Sequence, residues 1–168
     1  MSNNVPCLDK SDIVDLRQEI GRGGGIGSCG GRRVAVKKNF TADCSLDEAR
    51  ILAKLHHPNL VELVGTYESE PGNMAILTVF YKVDGEAINL HNLVGSEERI
   101  HCIHLLKGLF QGLNYLHEKA KALHNDIKAD NVVLQGNWKE SEKIVGVLID
   151  FGKERDLCSP KSIYLLQT

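Results

Sequence analysis

The chain has 168 residues, 42% hydrophobic and 25% charged, which suits a soluble globular domain whose core needs no disulfide staples. Its 20 basic and 22 acidic side chains leave a formal charge of −2, which gives no case for a nucleic-acid partner or an anionic membrane surface. No apolar run approaches the ~18 residues of a membrane span. The start, Met1–Cys7, has neither a basic head nor an apolar stretch. Five scattered cysteines without C-x-x-C spacing argue against a zinc site or disulfide framework, so a reducing, cytoplasmic location is expected.

In chain order, residues 1–10 read as a loose lead-in. Val14, Leu16 and Ile20 introduce a glycine cluster over 21–31, and Arg33–Lys38 is a β-branched run that predicts a strand. Gly30-Gly31 is a natural hairpin turn before it. Ser45–Leu55 predicts a helix, with Ser45 and Glu48 as a capping box and Glu48, Ile51, Leu52 and Leu55 on one face. His57-Pro58-Asn59 stops that helix. Leu60–Val64 and Met74–Phe80 read as strands joined through Pro71-Gly72-Asn73.

The second half begins with a helix whose apolar face is predicted at Ile100, Ile103, Leu106, Phe110, Leu113 and His117. Two short strands follow, Asn131–Leu134 and Ile144–Ile149. A polar hairpin loop over Gly136–Glu142 links them and carries extra length, which a surface hairpin tolerates. A strand-rich half followed by a helical half is an α+β pattern.

Four segments carry chemistry. They are the glycine cluster, Val34-Ala-Val-Lys37, His124-Asn-Asp-Ile-Lys-Ala-Asp-Asn131 and Asp150-Phe-Gly152. Each has a plain structural reading when taken alone. Glycines make linkers, a strand lysine is usually solvated, Glu48 on a helix is a surface charge, and Asp150 could end a strand at a turn. His124 reads as a packed structural histidine. Together they read differently. Glycine lets backbone N–H groups approach phosphates, a lysine held by a glutamate neutralises them, and Asn and Asp offer hard oxygens to a divalent cation.

In this order the segments resemble the signature set of protein kinase catalytic domains over roughly residues 13–155. The resemblance implies a bilobal α+β fold. Residues 11–82 would form an antiparallel β N-lobe with one αC helix and the start of the hinge, and 83–168 an incomplete, mainly helical C-lobe. It implies ATP and Mg2+ as cofactors and a protein substrate, with no nucleic acid and no membrane insertion. By resemblance Lys37 and Glu48 form the phosphate-positioning pair, Asp126 accepts the substrate hydroxyl proton, and Lys128 lies near the transferred phosphate. Asn131 and Asp150 hold magnesium. ATP binding falls to Ile20, Gly21, Gly23, Gly27 and Cys29, to Ala35, Lys37 and Val133, and to Val79 and Tyr81 in a hinge over 79–82. Leu52, Leu63, His124 and Phe151 resemble the stack that ties the lobes together.

Lys128 favours serine/threonine over tyrosine specificity. Three departures stand beside the match. Gly21 and Gly23 fit the first two positions of G-x-G-x-x-G, but the third falls on Ile26; Gly27 fills it only with an extra residue, leaving Cys29 where valine is usual. Asn125 replaces the arginine that pairs with an activation-loop phosphate, so that switch is not expected here. The chain ends soon after Gly152, short of the A-P-E segment, and reads as a partial or truncated form. The leading function is therefore ATP-dependent phosphorylation of protein Ser/Thr. The alternative is a nucleotide-binding pseudokinase or regulatory module without turnover.

Overall fold

Two glycines at a hairpin tip set the register of the first half. Gly30 and Gly31 have φ of +56° and +77°, the left-handed pair of a two-residue turn whose twist matches its strands. The computed structural model describes residues 5–19, 24–38, 42–93, 102–151 and 155–156. It divides into two units, Met1–Lys54 with Glu62–Phe80, and Leu55–Val61 with Tyr81–Thr168.

In the first unit, β1 (Ile13–Glu19), β2 (Gly24–Cys29), β3 (Arg32–Lys38), β4 (Leu63–Glu70) and β5 (Asn73–Val79) form an antiparallel sheet in the order β1-β2-β3-β5-β4. Strand alternation separates its two faces. Val34 and Val36 point to an outer face, where they cluster with Tyr67, Ala75 and Leu77 and gather Leu8, Ile13, Cys29 and Val64. Ala35 and Lys37 point to the other face, on the side of helix α1 (Ala42–Leu52), which buries Glu48, Ala49 and Leu52.

Helix α1 begins before Ser45, so Ser45 lies inside its first turn and is no N-cap; the Glu48 carboxylate, which the capping box would need, is taken up by Lys37. The predicted strand Leu60–Val64 is also displaced. The strand proper starts at Leu63, while Leu60 and Val61 run beside β8 of the second unit, with the Val61 N–H donating to Leu148 O at 3.0 Å. The lead-in is not loose either, since Pro6–Leu8 pairs with Thr66 of β4.

The second unit is built on helix α2 (Cys102–Glu118) and the hairpin of β7 (Val132–Gln135) and β8 (Val145–Leu148). A short pair, β6 (Ala122–Leu123) with β9 (Arg155–Asp156), had no signal in the sequence pattern. The buried stripe of α2 is Leu105, Gly112 and Leu116, not the predicted one. Ile103, Leu106 and Phe110 are 84%, 49% and 67% exposed; Ile100 lies outside the described residues. The helix is apolar on both sides, so periodicity alone could not choose the face.

Glycines on α2 permit a close approach. A Cβ on Gly108 would sit 2.6 Å from Asn59 Nδ2, an amide that donates to Gly146 O at 2.9 Å. Val83, Leu105, Leu134 and Ile144 form the core, with Trp138 packed against it. Trp138 belongs to the loop predicted to be a solvated insertion. Two merged 3-10 turns over Trp138–Lys143 order that loop, and Asp84 Oδ2 accepts the Trp138 N–H at 3.0 Å.

Candidate active site

In the first unit the predicted pair is formed. Lys37 Nζ donates to both Glu48 oxygens at 2.9 Å. The Glu48 side chain is 6% exposed and that of Lys37 34%. A carboxylate this deeply buried is costly without a cation, so β3 and α1 are pinned to one another at this point.

In the second unit, Asp126, Lys128 and Asn131 are brought together. Asn131, itself buried, donates from Nδ2 to the Asp126 backbone oxygen at 2.8 Å and to its Oδ2 at 3.2 Å. Lys128 Nζ lies 3.3 Å from the same Oδ2. The Asp126 N–H donates to Nδ1 of buried His124 at 3.3 Å, so the ring proton sits on Nε2, which meets Ile149 O at 2.9 Å. Phe151, fully buried, packs edge-on against His124 with centroids 4.6 Å apart. The Ile149 N–H donates to Asn131 O at 2.8 Å, which ties the strand delivering Asp150 to the Asn131 loop. Asp150 is exposed with φ +65°, and Asn125 has φ +61°. Asparagine and aspartate are enriched in that left-handed region among non-glycine residues.

A cavity of about 250 Å³ lined by residues including Pro58, Asn59, His104 and Lys107 contains none of the predicted site residues. Among the described residues, no helix is long and apolar enough to cross a membrane.

The model of the protein kinase domain family matches residues 29–167. The chain belongs to the protein kinase domain family. It is 32% identical over 130 residues to lymphokine-activated killer T-cell-originated protein kinase of Homo sapiens, covering 71% of this chain and 39% of that protein. It is 30% identical over 172 residues to the probable serine/threonine-protein kinase SIS8 of Arabidopsis thaliana, covering 92% of this chain and 16% of that protein. It is also 32% identical over 153 residues to tyrosine-protein kinase csk-1 of Caenorhabditis elegans, covering 84% and 27%. The chain thus spans 39% or less of the length of these relatives. Its α+β architecture, an antiparallel sheet with one helix and a second unit with a helix and a hairpin, is that of the family. Membership implies nucleotide and divalent-metal use in general terms.

Within this kinase domain Ile20, Gly21 and Gly23 of the glycine loop lie outside the described residues, as does Gly152. Gly27 and Cys29 are described, and both face away from Lys37. A Cβ on Gly27 would meet Val36 Cγ2 at 3.0 Å, and Cys29 packs on the outer cluster. The hairpin register puts Ile26 opposite Ala35 instead, with Thr78 on the other side of Ala35. Ile26, Ala35 and Thr78 therefore form one row on the face of Lys37. A two-residue turn at Gly30-Gly31 pairs Cys29 with Arg32 and hence Ile26 with Ala35, a register that follows from the turn itself. Val79 ends β5, with its N–H donating to Glu62 O at 3.0 Å. Tyr81 and Val133 belong to the second unit, and Val133 is half-buried in β7. Leu52 and Leu63 belong to the first unit, His124 and Phe151 to the second.

Proposed function

We propose that this chain catalyses ATP- and Mg2+-dependent phosphoryl transfer to serine or threonine of a protein substrate. The observation that carries this reading is the Asp126 carboxylate, held by Asn131 Nδ2 and flanked by Lys128 Nζ at 3.3 Å. In this reading Asp126 accepts the hydroxyl proton of the substrate. A base must be held within hydrogen-bond reach of its proton, and Asn131 does the holding. Lys128 steadies charge on the transferred group.

In this reading Asn131 and Asp150 would hold a magnesium ion, since both carry hard oxygen donors. Asn131 directs its amide nitrogen at Asp126, which turns Oδ1 away from that carboxylate, and Asp150 adds a second hard oxygen donor. Magnesium takes one or two such protein ligands and completes its shell with phosphates and water. When bound, it neutralises charge between phosphate groups. Lys37, fixed by Glu48, is assigned to the nucleotide phosphates, and Ile26, Ala35 and Thr78 to the wall beside the base.

The test is transfer of labelled phosphate from Mg-ATP to a generic protein substrate, followed by phosphoamino-acid analysis. The expected result is phosphoserine or phosphothreonine, with loss in Asp126→Ala of about 10²- to 10⁴-fold. Phosphotyrosine as the sole product overturns the specificity. Nucleotide binding without transfer supports the non-catalytic alternative.

A further inference from the structure

Pro6–Leu8 lies along β4, the strand at one end of the sheet order. The Leu8 N–H donates to Thr66 O at 2.8 Å, the Thr66 N–H donates to Pro6 O at 2.8 Å, and Cys7 forms a parallel bridge with Thr66. The Leu8 side chain is half-buried against Val34, Val36, Tyr67, Ala75 and Leu77. β4 is shaped to receive it. A Cβ on Gly65 would stand 2.9 Å from Leu8 Cδ1 and Cγ and 3.0 Å from Pro6 O. Past Leu8, Lys10 Nζ donates to Ser69 O, and a 3-10 turn over Lys10–Asp12, with Asp9 Oδ1 accepting the Ser11 N–H at 2.9 Å, leads into β1 at the other end of the sheet. The segment therefore runs from one edge strand of the sheet order to the other.

An uncovered edge strand is a template for any extended peptide. Recognition of that kind takes affinity from backbone bonds and specificity from alternate side-chain pockets. Both are present here, since two backbone bonds flank Thr66 and the side chain of Leu8 enters the gap over Gly65. We propose that this outer face is a peptide-docking groove whose resident occupant is the chain's own Pro6–Leu8, a strap that also holds β3 in place. The coupling runs through one strand. Val34 and Val36 lie under the strap, while Ala35 and Lys37 of the same strand face the opposite side toward Glu48.

Amide hydrogen exchange on the full chain tests this without reference to catalysis. In both Leu8→Asp and Gly65→Val, the Thr66 N–H should exchange roughly tenfold faster or more, the equivalent of one lost apolar contact. The amides of Val36 and Lys37 should speed up with it, while Leu134 in the second unit keeps its rate. A synthetic peptide of residues 5–13 should restore protection in Leu8→Asp, where the groove is open, and fail in Gly65→Val, where it is filled. Unchanged Thr66 exchange in both variants overturns the strap. Rescue of both variants or of neither overturns the groove, and an unmoved β3 overturns the coupling. If Leu8→Asp loses protection throughout, Leu8→Ala carries the same comparison.

Discussion

Lys37 and Glu48 divide a cost between them. Removing the cation leaves a buried carboxylate unpaired, so Lys37→Met should lower stability by about 2 kcal/mol in denaturant melts. Adding Glu48→Leu should recover most of that loss while phosphoryl transfer stays abolished, which separates the structural from the chemical contribution. The row beside Lys37 makes a second residue-level prediction. Ile26→Asp should abolish the thermal shift produced by Mg-ATP, and Cys29→Ser should leave it unchanged, because the two side chains leave β2 on opposite faces. His57 titrates with consequence for stability. Burial holds its pKa below the ordinary 6.5, while Nδ1 accepts the Asn59 N–H at 3.1 Å and the ring packs on Tyr115. The unfolded chain then binds the proton more readily. Stability is full above the unfolded value and declines as pH falls below it. Thermal melts from about pH 7 down to pH 5 should show a modest decline that His57→Gln flattens.

At the scale of elements, α2 sets two apolar stripes against each other. Leu116→Ala, on the buried stripe, should cost about 2–5 kcal/mol. Phe110→Ser, on the exposed stripe, should change stability by less than about 0.5 kcal/mol. Gly108→Ala should cost about 1–3 kcal/mol, since its methyl group displaces the Asn59 amide from Gly146 O. Urea midpoints of the three variants rank them, and an equal loss at Phe110 and Leu116 would contradict the observed orientation. The same helix explains one failure of sequence reading. Steps of three and four residues describe Ile103, Leu106 and Phe110 as well as Leu105, Leu109, Gly112 and Leu116, and nothing local distinguishes them.

For the whole molecule, a ligand that binds only the folded state stabilises by mass action, about 2.7 kcal/mol at a concentration 100 times its Kd. Saturating Mg-ATP should raise Tm by several degrees, and Lys37→Met should reduce the rise; both are read by calorimetry. Part of the candidate site is legible in the sequence. Lys37, Glu48, Asp126, Lys128 and Asn131 are named by their resemblance to the family's motifs in chain order, and the structure brings Lys37 to Glu48 and Asp126 to Lys128 and Asn131. The glycine loop is legible only in part: the Gly30-Gly31 turn sets Ile26 against Ala35, while Gly21 and Gly23 lie outside the described residues. The sequence by itself therefore determined the kinase family resemblance and the α+β order of its elements. Tertiary structure decided which stripe of α2 is buried, that Asp84 and Trp138 order the β7–β8 loop, that Ile26 shares the Lys37 face, and that Pro6–Leu8 straps the sheet. The physical reason is that periodicity marks which residues can be buried together, while the partner surface that buries them comes from residues far away in the chain.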